Sequence, residues 1–152
     1  MRDYKFRGKR VDNGEWVYGY LIKDESGEVN IVNNYGTSYS WDEVDPETVG
    51  QIFPFKDSEE SELYPGDIIK TIHTRASEDV SSDDPFSNTA PGYEEYEKIG
   101  FLEYYQGYNY GPRLRWKKGH MMIPNTSTLW RMKAVKIGNR FDNPDLLGEV
   151  RE

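Results

Sequence analysis

The stretch Tyr4-Lys5-Phe6-Arg7-Gly8-Lys9-Arg10-Val11-Asp12-Asn13-Gly14-Glu15-Trp16-Val17-Tyr18-Gly19-Tyr20-Leu21-Ile22-Lys23 decides the fold class. Its start alternates, with Tyr4 and Phe6 on one side and Lys5 and Arg7 on the other, as in a half-buried strand. Asn13-Gly14 tolerates the positive φ that both central residues of a type I′ turn require, so this dipeptide predicts a tight hairpin. The returning segment, Glu15 to Lys23, places Trp16, Tyr18, Tyr20 and Ile22 on one face and Val17 and Leu21 on the other. Apolar residues on both faces predict cover on both, hence a barrel or a sandwich.

The same punctuation continues outward. Asp24-Glu25-Ser26-Gly27 leads into a third strand through Val29, Ile31 and Val32, followed by a Tyr-rich loop from Tyr35 to Trp41 and a further strand within Val49 to Phe55. Tyr64-Pro65-Gly66-Asp67 has a fixed φ at Pro65 and a permissive Gly66, the demands of a type II turn, and it launches the apolar run Ile68 to Ile72. Residues 76 to 97 hold seven acids, two prolines and no Lys or Arg, the composition of an exposed loop inserted in a single domain of residues 1–152. Shorter strands are expected at Ile99 to Tyr105, Arg113 to Lys117, His120 to Ile123 and Leu129 to Ile137. Asn143-Pro144-Asp145 carries an N-cap, a first-turn proline and an acid, so a short helical turn closes the chain.

Twelve Tyr, six Phe and four Trp supply much of the apolar area, and aromatics favour strands. With no cysteine, disulfides, thiolate zinc sites and a cysteine nucleophile are all excluded. The amino terminus lacks the apolar run of a secretion signal and no stretch reaches the length of a membrane span, so the expectation is a cytoplasmic protein without a membrane partner. Asn125-Thr126-Ser127 matches a glycosylation sequon at the rate chance provides.

No residues present a recognisable catalytic pattern. His73 and His120 are the two histidines, without metal-ligand spacing, and both read as surface residues. The carboxylates cluster in turn-rich segments rather than at fixed separation on rigid elements, and Glu78, Asp79, Asp83 and Asp84 lack the glycine and spacing of a calcium loop. No phosphate loop, nucleotide fingerprint or nucleophile elbow is present. No catalytic residue, metal ligand or cofactor is therefore assigned.

Charge carries the strongest signal. The net charge is −8, yet residues 104 to 141 hold eight Lys or Arg and no acid, leaving −16 on the other 114 residues. Tyr104, Tyr105, Tyr108, Tyr110, Trp116 and Trp130 interleave with these cations, the combination of a single-strand nucleic-acid groove. Read as a strand, Trp130-Arg131-Met132-Lys133-Ala134 turns Arg131 and Lys133 to one face. Arg113, Arg115, Trp116, Lys117, Lys118, Arg131 and Lys133 are the candidate binding residues, for nucleic acid or for a protein partner. The competing reading pairs this positive face with the acidic loop of the same chain or of a neighbouring subunit, which favours self-association.

Three stretches together resemble the YopX family of bacteriophage and prophage proteins: FRGKR with NGEWVYGYLI at Phe6 to Ile22, TVGQ with LYPGDIIK at Thr48 to Lys70, and IGNRFDNPDLL at Ile137 to Leu147. After TVGQ the chain departs from the family pattern, with Phe53-Pro54-Phe55 and Ser58-Glu59-Glu60-Ser61-Glu62. The resemblance implies an SH3-like or related, partly open β-barrel in the amino-terminal half and a phage or prophage origin, hence a bacterial host. It implies no catalytic residue or ligand. A mainly β accessory protein, binding a host or phage protein or assembling with itself, is the first expectation; a nucleic-acid-binding protein using residues 104–141 is the alternative.

Overall fold

The computed structural model describes residues 5–34, 36–76, 92–106, 110–116 and 120–148. Among them the chain is mainly β, with two five-stranded antiparallel sheets and one short helix. The first sheet contains β1 (Phe6–Lys9), β2 (Trp16–Lys23), β3 (Val29–Asn34), β4 (Tyr39–Glu43) and β5 (Gly50–Gln51), in the order β4-β3-β2-β1-β5, and is not a closed barrel. Asp45 caps a 3-10 turn at Pro46–Thr48, accepting the Glu47 amide at 3.0 Å, and this turn carries the chain from β4 to β5.

Two local expectations are corrected here. The β1–β2 loop is wider than a type I′ turn: the Arg10 amide donates to Glu15 O and the Gly14 amide to Arg10 O, with Gly14 alone in the loop at positive φ. Asn13 instead accepts the Glu15 amide on its side chain at 2.9 Å, so an Asx turn replaces the left-handed conformation expected there. The Tyr-rich segment is strand from Tyr39 on, because Trp41 lies opposite Val32. Val32 in turn lies opposite Tyr20, and it is buried between two rings that are themselves 65% (Tyr20) and 60% (Trp41) exposed. Cover on the Trp16 face of β2 is therefore partial.

The second sheet has the order β10-β6-β7-β8-β9, from β6 (Asp67–Ala76), β7 (Tyr93–Tyr105), β8 (Gly111–Arg115), β9 (Met121–Met122) and β10 (Val135–Asn139). The expected strand from Leu129 to Ile137 is instead the helix α1 (Thr126–Arg131), a turn, and then β10. Asn125 and Thr128 make reciprocal capping bonds of 3.0 and 3.1 Å, so the segment that matches a sequon is a helix start. The closing 3-10 turn, Pro144–Leu147, forms, but Asn143 makes no side-chain cap and accepts the Asn139 amide instead. The acidic loop is shorter than expected, since residues 93–97 pair with residues 72–76; residues 77–91 lie outside the described residues.

One core cluster joins Phe53, Phe55, Leu63, Ile69, Leu102, Leu114, Leu129 and Ala134, so α1 and the 53–63 segment close one face of the second sheet. Full burial of each large aliphatic contributes roughly 1.5–3 kcal/mol. On the other face Ile68 and Leu147 pack with Ile99, Phe101 and Ile137. No helix among the described residues is long and apolar enough to cross a membrane.

The sheets are joined by a buried ion pair. Arg7 Nη1 lies 2.8 Å from Asp67 Oδ1, Arg7 Nη2 donates to Pro65 O at 3.1 Å, and Asp67 Oδ2 accepts the Tyr64 amide at 2.8 Å. The guanidinium sits 4.4 Å from the Trp16 ring and 4.8 Å from that of Tyr64. Gly66, at φ 96°, completes the turn that presents Asp67, and a Cβ there would come within 2.9 Å of Phe141. Burial pushes the Asp67 carboxyl up, against the opposing pull of Arg7, the Tyr64 amide and Lys136.

A second tie is Asp142, which accepts from Lys9, from Trp16 Nε1 at 2.7 Å and from Asn139 Nδ2 at 3.1 Å. Partial burial pushes its carboxyl up, but these three donors outweigh that and hold it at about 2.

Arg7→Met should lower stability by about 3–5 kcal/mol, because it strands the Asp67 charge, and urea unfolding should show a lower midpoint with an unchanged slope. Asp142 binds its proton more weakly folded than unfolded, so its contribution is present above pH 3.8 and is lost as pH falls toward about 2. Acid unfolding of Asp142→Asn should lack that component.

Candidate functional site

Strand β6 places the site. The β6–β7 register runs unbroken from Ile68 opposite Phe101 to Ala76 opposite Tyr93. β10 pairs with β6 only over Asp67–Lys70, and β8 pairs with β7 only over Phe101–Tyr105. The far half, 72–76 against 93–97, thus projects as a two-stranded ribbon beyond its neighbours.

The Ile72 amide donates to Met132 O at 2.8 Å, which shows that Ile72 directs its backbone groups away from β7. Strand alternation then points Thr74 and Ala76 the same way. Among the described residues no strand pairs with them on that side.

Beside this edge opens a cleft of about 360 Å³. Strand β6 contributes Ile72, His73 and Thr74 to its lining, β7 contributes Glu95 and Tyr96, and the end of α1 with the residues after it contributes Arg131, Met132 and Lys133. Two of the residues expected from sequence, Arg131 and Lys133, are therefore brought together, although by the end of α1 and a turn rather than by strand alternation. Lys133 stands at φ 48°, in the left-handed region, between the end of α1 and β10, where Val135 pairs with Lys70. Its ammonium lies 3.6 Å from Glu95; both groups are more than 60% exposed, so the pair contributes little. Arg131 is exposed and has no acidic partner among the described residues.

Trp116 joins the same region through His73, with the two rings edge to face at 5.4 Å. Gly100 makes room for Trp116, since a Cβ there would lie 2.8 Å from the indole Cδ1. The indole N–H donates to Thr71 Oγ1 at 3.1 Å, and Thr71 Oγ1 lies 2.7 Å from His73 Nε2. Lys98 stands 5.4 Å from the Trp116 ring and 5.8 Å from that of Tyr96, over which Arg75 also lies at 5.1 Å. Desolvation, then the Lys98 charge, push the His73 pKa below 6.5, which favours the neutral ring beside the Thr71 hydroxyl. His73 is thus a half-buried member of a cluster and not the surface residue expected.

The other candidates lie elsewhere. On β8, Arg113 lies opposite Glu103 of β7 and 5.5 Å from the Tyr105 ring, and Arg115 lies opposite Phe101 and 3.8 Å from the Glu103 carboxylate. Lys117 and Lys118 lie outside the described residues. Sequence reading missed Thr74, Tyr96, Lys98 and Arg75, because Tyr93-Glu94-Glu95-Tyr96-Glu97, the segment opposite Ile72 to Ala76, does not alternate and reads as part of the acidic loop. No group of three or more metal-binding side chains occurs among the described residues. No protein-family model matches the chain, and no curated protein matches it.

His73 should titrate below 6.5 by NMR, and Lys98→Gln should move it upward by removing one of the two causes. Because the folded state binds this proton more weakly, stability should fall as pH drops through 6.5, and Lys98→Gln should shrink that loss.

Proposed function

We propose that the protein is a phage or prophage accessory protein that acts in the cytoplasm of a bacterial host by binding a partner or by assembly, without catalysing a reaction. The observation that carries this reading is the edge of β6 from Ile72 to Ala76, which no strand among the described residues pairs with, beside the exposed cations Arg131 and Lys133. Open strand edges are templates for pairing with another chain, and soluble proteins usually cover or blunt them.

Exposed Tyr20, Tyr39 and Trp41 on the first sheet add an apolar surface of the kind that marks protein contacts. The YopX resemblance is supported by position: Arg7, Asp67 and Asp142, one from each of the three resembling stretches, hold the two sheets together. An SH3-like reading of the first sheet is supported by its strand order and by the 3-10 turn before β5.

Nucleic-acid binding is the second reading, favoured by Lys98 and Arg75 beside the Tyr96 and Trp116 rings. The overall charge of −8 works against it.

Light scattering at rising concentration should give a discrete oligomer for the intact chain, shifted toward monomer by Tyr20→Ser with Trp41→Ser. A strictly monomeric wild type would remove self-assembly. Anisotropy with single-stranded DNA should show no binding; a log-log salt slope of about −3 to −4, reduced in Arg131→Glu with Lys133→Glu, would establish the second reading instead.

A further inference from the structure

We infer that the β6 edge from Ile72 to Ala76 takes an extended acidic segment of a partner protein as an added strand, with Arg131 and Lys133 receiving its carboxylates. This rests on the binding reading above and names the occupant.

The backbone sets the first requirement. Past the bond from the Ile72 amide to Met132 O, the next outward groups are the Ile72 carbonyl and the Thr74 amide and carbonyl. Donors and acceptors therefore alternate along the edge. A peptide backbone offers both in the matching order, whereas a phosphate chain offers acceptors and would leave the carbonyls unmet. The chain comes off α1 at Met132, whose carbonyl takes the Ile72 amide, and passes through the left-handed Lys133 into β10 on Lys70, so an added strand past Met132 continues the line of β10.

Charge sets the second requirement. Arg131 and Lys133 line the cleft, and among the described residues only Lys133 has a carboxylate near it, the exposed one of Glu95. Pairing of this edge with the same edge of a second copy would bring four such cations together around a two-fold axis, an arrangement that like charges oppose. An incoming strand with carboxylates on alternate residues places them on one face at the strand repeat and meets both cations.

The test is fluorescence anisotropy on the full chain with a short labelled peptide alternating Thr and Glu. The comparison peptides are an alternating Thr and Lys version and a Thr and Glu version N-methylated at alternate amides. The Thr and Glu peptide should bind, and the other two should bind more weakly by about tenfold or more. Arg131→Glu with Lys133→Glu should weaken it similarly; both positions are exposed, so the fold should be kept. Thr74→Pro removes an edge N–H that no described residue uses and should also weaken binding while the β6–β7 ladder persists.

Equal binding of the N-methylated peptide would overturn the added strand in favour of charge alone. No binding of the Thr and Glu peptide at low salt would overturn the inference outright. In that event a discrete oligomer by light scattering would leave the broader assembly reading standing, whereas a strict monomer would remove self-assembly with it.

Discussion

The buried pair of Arg7 and Asp67 is the constraint on which the two sheets depend. Each sheet has a face that needs cover, and the seam between them is polar at its centre. An ion pair out of water contributes only when its remaining hydrogen-bonding capacity is met; here Pro65 O and the Tyr64 amide take part of it and two aromatic faces flank the guanidinium, while Arg7 Nε is buried without a hydrogen-bond partner among the described residues. The geometry fixes more than energy. Arg7 reaches Asp67 in one register of β1 against the Tyr64-to-Asp67 turn, and a one-residue slip would turn the guanidinium to the opposite face of the first sheet. Trp16 and Lys9, gathered on Asp142, repeat that specification from the carboxyl-terminal side.

Much of this architecture is legible locally. The type II turn at Tyr64-Pro65-Gly66-Asp67 is written in Pro65 and Gly66, and the structure has the expected Asp67 amide bond to Tyr64 O at 3.1 Å. Alternation marked β1, the Asn13-Gly14 turn marked β2 as its return, and the apolar run after the Pro65-Gly66 turn marked β6 as a strand. What sequence could not show is which strand stops where. Leu129 to Ile137 alternates well enough to look like a strand, but Asn125 and Thr128 supply a capping box, and helix formation buries Leu129 against Ile69 and Leu102. The cleft depends on β10 leaving β6 after Lys70, a tertiary event that no periodicity within either segment records.

The basic stretch likewise changes meaning once folded. Eight cations over 38 residues suggest one positive face, yet the chain distributes them. Lys136 turns toward Asp67 and the Glu62 carbonyl, Arg115 toward Glu103, and Lys133 toward Glu95. Sequence proximity set the count of charges; strand pairing decided their neighbours. At the cleft Arg131 and Lys133 stand with one lining carboxylate, that of Glu95, within a protein whose net charge is −8.

Strand β6 begins at Asp67, in the polar seam, and ends at Ala76 on the projecting ribbon, without a bulge against β7. An extended backbone has almost no slack along its axis. A load applied to the ribbon by a bound partner therefore travels the length of the strand as tension and arrives at Asp67. There it is resisted in shear by the β6–β7 hydrogen-bond ladder and by the guanidinium of Arg7.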